Sequence, residues 1–294
     1  MEDKTLDDYR PTETDGPYPV KEEIFTSPLS CTDTAVWDAS FNETDFTDDS
    51  INVSWDEEKK RNMITAHFRA NLVSWLSTVN GYFQFAQDTL FLAVNIVDRC
   101  LQRMDVTRGS FQLLGATAFL IAGKHEEVTP PEINDLLWLC AEAYSRNQMV
   151  KMEELILDAI HFEMFVPTGS FFLEYFACCE MMDSDTRNLD EFRNARRHAR
   201  YFMELSLQDY KLSQYLPSML ALCAWKWAVQ DCMAEYRLYS PSWEVDFNPA
   251  AYKNCFEDFL VFVSKLKGTV SEANVLTGCY DHDDDSDVEC LNSY

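Results

Sequence analysis

Thirteen consecutive residues, Phe111 to Gly123, carry no charged side chain, and this run constrains the fold more than any other feature of the chain. Gly115, Ala116, Ala118, Ala122 and Gly123 within it let neighbouring elements approach closely, and a helix apolar on every side must be enclosed by others. The flanking sequence supplies the enclosure. Apolar residues recurring at three and four predict helices over about 62–79, 87–102, 109–125, 130–140 and 146–161. In the last, Met149, Met152, Leu155, Ile156, Ala159 and Ile160 form one stripe, with Lys151, Glu154 and Asp158 opposite. Ser54 to Glu57, Thr129 to Glu132 and Ser145 to Gln148 each fit the capping box that opens a helix, with Pro130 expected at a first helical position.

The pattern recurs. Phe171 to Phe176, Phe192 to Leu207 and the nearly charge-free Leu216 to Val229 imply a second set of helices, joined to the first at Pro167. The expected fold is all-α, two tandem five-helix bundles over residues 58–166 and 167–270. Residues 1–57 hold 16 acids and 3 bases, and residues 271–294 hold 7 acids and no base. Both are read as disordered acidic arms, which carry 20 of the 26 net negative charges.

That charge argues against nucleic acid or an anionic membrane as partner, since phosphate binding needs concentrated Lys and Arg. Ten cysteines without a C-x-x-C pair, several in apolar helical patterns, read as buried thiols in a reducing intracellular compartment, cytoplasm or nucleus. No apolar run is long enough to span a bilayer. The five histidines assemble no nucleophile, base and acid, and no phosphate-cradling glycine loop occurs, so no catalysis and no cofactor is expected. Asp281 to Asp287 lacks the glycine and terminal glutamate of a calcium loop, and no metal site is expected.

Five motifs in order are highly specific together: Phe68 to Trp75, Leu92 to Arg99, Gln112 to Gly115, Ala122 to Glu132 and Lys151 to Leu155. With them the chain resembles the cyclin family over about residues 58–265, and Glu204 to Tyr210 followed by Tyr215 to Leu220 resembles the second cyclin fold, most of all in the cyclin-O subfamily. The resemblance implies a regulatory subunit that binds a cyclin-dependent kinase through its first bundle and holds the kinase's αC helix inward. Lys124 and Glu153 match the family's polar kinase contacts, with Glu127 and Val128 beside them. Arg69 and Asp98 match an internal ion pair. Phe68, Leu72, Trp75 and Gln112 match a patch that docks substrate or inhibitor peptides, altered here because Asn71 replaces an apolar residue and Thr78 stands where a Glu would be. The role implied is cell-cycle control or, by the cyclin-O likeness, centriole amplification and cilium formation.

Other features have plainer readings. Ser27 before Pro28 suits a proline-directed kinase, and Ser286 before Asp287 and Glu289 an acid-seeking one. Arg193, Arg196, Arg197 and Arg200 read as a solvated helical face, and Cys178 and Cys179 as buried beside Phe176 and Ala177. A divergent cyclin-fold scaffold that binds proteins without activating a kinase stays open as the alternative.

Overall fold

Helix α1, Ala66–Phe83, turns one face inward: Arg69, Leu72, Val73, Leu76, Val79, Asn80 and Phe83 are buried at spacings of one, three and four. A computed structural model describes residues 66–182, 189–232 and 247–269. Both acidic arms, Ser27, Ser286 and the first expected capping box lie outside the described residues. No strand occurs among those described, and the chain divides into two units between Met164 and Phe165.

In the first unit α1 is followed by α2, Gln87–Leu101, α3, Arg108–Glu126, α4, Ile133–Leu139, and α5, Arg146–Ala159. Helix α3 is the centre, as its composition requires: every residue from Phe111 to Gly123 except Gln112 is buried. Two glycines explain how neighbours come so near. A Cβ on Gly115 would lie 2.6 Å from Leu72 Cδ1, and one on Gly123 would lie 2.6 Å from Pro131 Cδ.

Helix starts follow local chemistry. Ser145 opens α5 with a capping box, its Oγ accepting from the Gln148 amide while the Gln148 side chain accepts from the Ser145 amide. Thr107 Oγ1 accepts from the Ser110 amide at the start of α3. The box expected at Thr129 does not form, and α4 begins at Ile133 after Glu132. The cause is the proline pair: Pro131 disfavours helical backbone at Pro130, and its own ring is buried against Gly123.

The second unit has α6, Gly169–Met182, α7, Leu189–Ser206, a 3-10 turn, Leu212–Gln214, α8, Pro217–Cys232, and α9, Pro249–Thr269. Met219 to Trp225 and Trp227 to Val229 of α8 are buried. Aromatic edges fill the space around it, with Phe202 and Trp227 centroids 4.6 Å apart and Phe192 and Trp225 5.6 Å apart. Cys223 and Cys255 are buried there, their sulfurs 3.7 Å apart. Cys178 and Cys179 are half-exposed, contrary to expectation, because the inward line of α6 is taken by Leu173, Phe176, Ala177 and Glu180. The arginine face of α7 is not simply solvated: Arg196 pairs with Glu174 of α6 at 2.7 Å, and Arg193 lies 3.5 Å from Asp190.

Candidate functional site

The end of α3 and the outer face of α5 meet at Lys124 and Glu153. Lys124 extends the central helix just past its last buried residue, where the side chain leaves the core and reaches solvent. Glu153 stands in the second turn of α5, and Lys124 Nζ donates to its Oε1 at 2.5 Å. The lysine side chain is 45% exposed and the glutamate 18%, so the pair lies at the surface with one wall of protein behind it. Folding thus unites residues 29 positions apart.

Along α5, Val150, Glu153 and Leu157 fall at steps of three and four and share one stripe. Val150 is exposed. Beyond the helix, His161 and Phe162 both adopt left-handed backbone at φ 56°, which is uncommon for residues other than glycine. Phe162 is held there 65% exposed. Val128 is fully exposed just after α3. An acid and base pair with apolar side chains left in water is the composition of a protein-binding surface rather than of a catalytic centre.

Glu127 faces the other way. Its Oε1 accepts from the Ala86 amide at 2.9 Å and from Thr89 Oγ1 at 2.5 Å, capping the start of α2. Ala86 has no side-chain oxygen to serve that turn, so a residue from the end of α3 supplies one. This oxygen thus has an internal role, beside the kinase contact expected of Glu127.

Arg69 and Asp98 join α1 to α2 in a bidentate pair, Nε to Oδ1 and Nη2 to Oδ2, each 2.7 Å, with the arginine buried. The expected docking patch is narrower than the sequence implied. Phe68, Trp75 and Gln112 are half-buried, but Leu72 is fully buried in the space left by Gly115. The Arg108 guanidinium also lies 4.5 Å over the Phe68 ring. Thr78 Oγ1 donates to the Ser74 carbonyl and Asn71 lies 3.5 Å from His67, so both polar replacements have neighbours within α1.

Sequence reasoning missed two arrangements. Arg99 donates to the carbonyls of Ile160 and Glu163, and Arg103 to that of Ala159, so the end of α2 and the turn after it cap the end of α5 and secure the Phe162 turn. In the second unit, His198, Asp231 and Cys232 converge although no short motif links them. Arg99 lies in the last turn of α2 and Arg103 in the turn that follows it, so no single helical repeat marks the two together.

Two tandem helical units with a central apolar helix in each, and a surface charged pair with apolar side chains on the first, have the composition of a protein-binding module. Residues 41–165 match the family model "Cyclin, N-terminal domain" and residues 167–248 match "Cyclin, C-terminal domain". The chain belongs to the cyclin family. It is 42% identical over 160 residues to human Cyclin-O, covering 54% of this chain and 45% of that one. It is 38% identical over 167 residues to Cyclin-O protein B of Xenopus laevis, covering 56% and 46% respectively. The matched region thus spans a little under half the length of these curated relatives. A solved viral cyclin from herpesvirus saimiri shares the fold, with TM-score 0.55 and 18% identity over 67% of this chain and 86% of that one. Among the described residues no helix is long and apolar enough to cross a membrane.

Proposed function

We propose that the chain is the regulatory subunit of a cyclin-dependent serine/threonine kinase, which it binds through the first unit and activates. The supporting observation is the Lys124–Glu153 pair, set on a stripe with Val150 uncovered beside it. Lys124 Nζ uses one of three donors on Glu153, and Glu153 Oε2 has no partner among the described residues. Both can therefore bond backbone and side-chain groups of a partner helix without giving up each other, while Val128, Val150 and Phe162 supply apolar contact.

Kinase chemistry requires the β3 lysine to meet the αC glutamate and the activation loop to be placed. A subunit that binds better when αC is inward shifts the population to that state by the difference in affinity. Losing one partner of such an interfacial charge pair typically costs about 2 to 5 kcal/mol, roughly thirtyfold to several-thousandfold in affinity. The setting proposed is the one the resemblance implied, cell-cycle control or centriole amplification and cilium formation, inside the cell. Peptide docking on α1 would rest on Phe68, Trp75 and Gln112 without Leu72.

The test is histone-peptide phosphorylation by candidate cyclin-dependent kinases mixed with wild type, Lys124→Glu, Glu153→Lys and the double exchange. Activation by wild type, lost in both single variants and not restored by the exchange, is the expected result. Binding with no gain in activity would select the scaffold alternative, and activity indifferent to these substitutions would move the interface elsewhere.

A further inference from the structure

Helices α7 and α8 pack along each other in the second unit, and one of their meeting points carries three different donor atoms. His198, in the third turn of α7, sets Nδ1 3.2 Å from Cys232 Sγ and 3.8 Å from Asp231 Oδ2. The sulfur, the ring nitrogen and a carboxylate oxygen all lie within 4.8 Å of one another. We propose that His198, Asp231 and Cys232 form a binding site for a divalent zinc-class ion that ties the end of α8 to α7. The proposal stands independently of kinase binding.

Geometry carries the inference first. Bond lengths near 2.3 Å to sulfur and about 2.0 Å to nitrogen or oxygen, with tetrahedral angles, require ligand separations of roughly 3.3 to 3.6 Å. The two separations from Nδ1, 3.2 and 3.8 Å, bracket that range. Both supports are long helices, so side-chain adjustment of a few tenths of an ångström at these two edges suffices. Neighbouring Asp231 and Cys232 come from the last turn of α8, and the histidine from the helix it packs against.

Chemistry then chooses the ion. A thiolate and a carboxylate bring two negative charges and a neutral imidazole brings none, which matches a dication. Magnesium and calcium prefer all-oxygen shells, whereas mixed sulfur, nitrogen and oxygen ligation suits zinc. The His198 side chain is 20% exposed and that of Asp231 35%, so solvent reaches the cluster and water can complete four ligands. Binding releases the Cys232 thiol proton to solvent as the S–Zn bond forms. Without metal the imidazole bridges the two, by a hydrogen bond with the thiol and an ion pair with the carboxylate, and binding would replace both with bonds to one centre.

The test uses the full chain, reduced and stripped of metal, titrated with Co2+ and then Zn2+. Expected are a thiolate-to-cobalt charge-transfer absorption saturating at one ion per chain, its displacement by zinc, and a rise in Tm of about 5 °C. Cys232→Ser should abolish the band and Asp231→Asn should weaken binding by about tenfold or more. Cys178→Ser with Cys179→Ser should leave both unchanged. Helicity of each metal-free variant by circular dichroism separates lost ligation from lost folding, and the more exposed Asp231 decides if Cys232→Ser fails to fold. No band in the wild type, or a band that survives Cys232→Ser, overturns the site.

Discussion

The carboxylate of Glu127 reaches the backbone amide of Ala86, 41 residues earlier, at 2.9 Å, and so supplies the cap that helix α2 lacks in its own sequence. Replacing Glu127 by Ala should cost about 1 to 2 kcal/mol of first-unit stability, the usual range for a lost cap. Urea denaturation checks this, and Glu127→Gln should recover part of the loss because its amide oxygen still accepts. A stability unchanged in Glu127→Ala would mean that water caps α2 equally well.

Asp98→Ala and Lys124→Glu should separate folding from binding. The first leaves the buried Arg69 guanidinium without its carboxylate and should cost about 3 kcal/mol, the low end for a broken buried pair because Asp98 is a third exposed. The second alters a surface pair and should change stability by less than about 1 kcal/mol. Equal falls in Tm for the two variants would defeat the division.

Gly123→Ala sets two effects against each other. Alanine favours a helix by about 1 kcal/mol over glycine. Its Cβ would also lie 2.6 Å from Pro131 Cδ, in a rigid buried ring, and overpacking of that kind costs about 1 to 3 kcal/mol. The expected net is a loss, read by thermal denaturation, together with weaker kinase binding because Lys124 and Val128 flank the displaced segment. A raised Tm would show that Pro131 yields freely.

Stability should fall in alkali. Burial pushes the Cys100 thiol up to about 11 and the Cys140 thiol up to about 12 from an ordinary 9.0. Below pH 9 both thiols are neutral, folded or unfolded. Between about 9 and 12 the unfolded chain loses thiol protons that the folded chain keeps, so each raised value costs stability as pH rises through that window. Urea midpoints at pH 7, 9 and 10.5 should stay level and then drop, with a shallower drop in Cys140→Ala.

The helical architecture was legible because α3 announces itself: an uncharged run rich in small residues has no stable place except inside. The Lys124–Glu153 and Arg69–Asp98 pairs were legible through motif resemblance, since side chains 29 apart cannot be matched by helical spacing alone. What escaped was whatever depended on the angle at which elements meet. The direction of Glu127, the burial of Leu72 over Gly115 and the late start of α4 after Pro131 all follow from packing between helices. The meeting of His198 with Asp231 and Cys232, 33 and 34 residues on, does too.

The arginine clamps on the end of α5 bear on the order in which the chain is made. Arg99 and Arg103 precede the carbonyls they hold by 56 to 64 residues. On the ribosome, where domains fold as they emerge, Arg99 and Arg103 therefore come out first with their donors ready, and the first unit closes only once Glu163 has followed them out of the exit tunnel. Those clamps, the Glu127 cap and both ion pairs draw on no residue after Glu163, so the first unit can finish folding while the second is still being made.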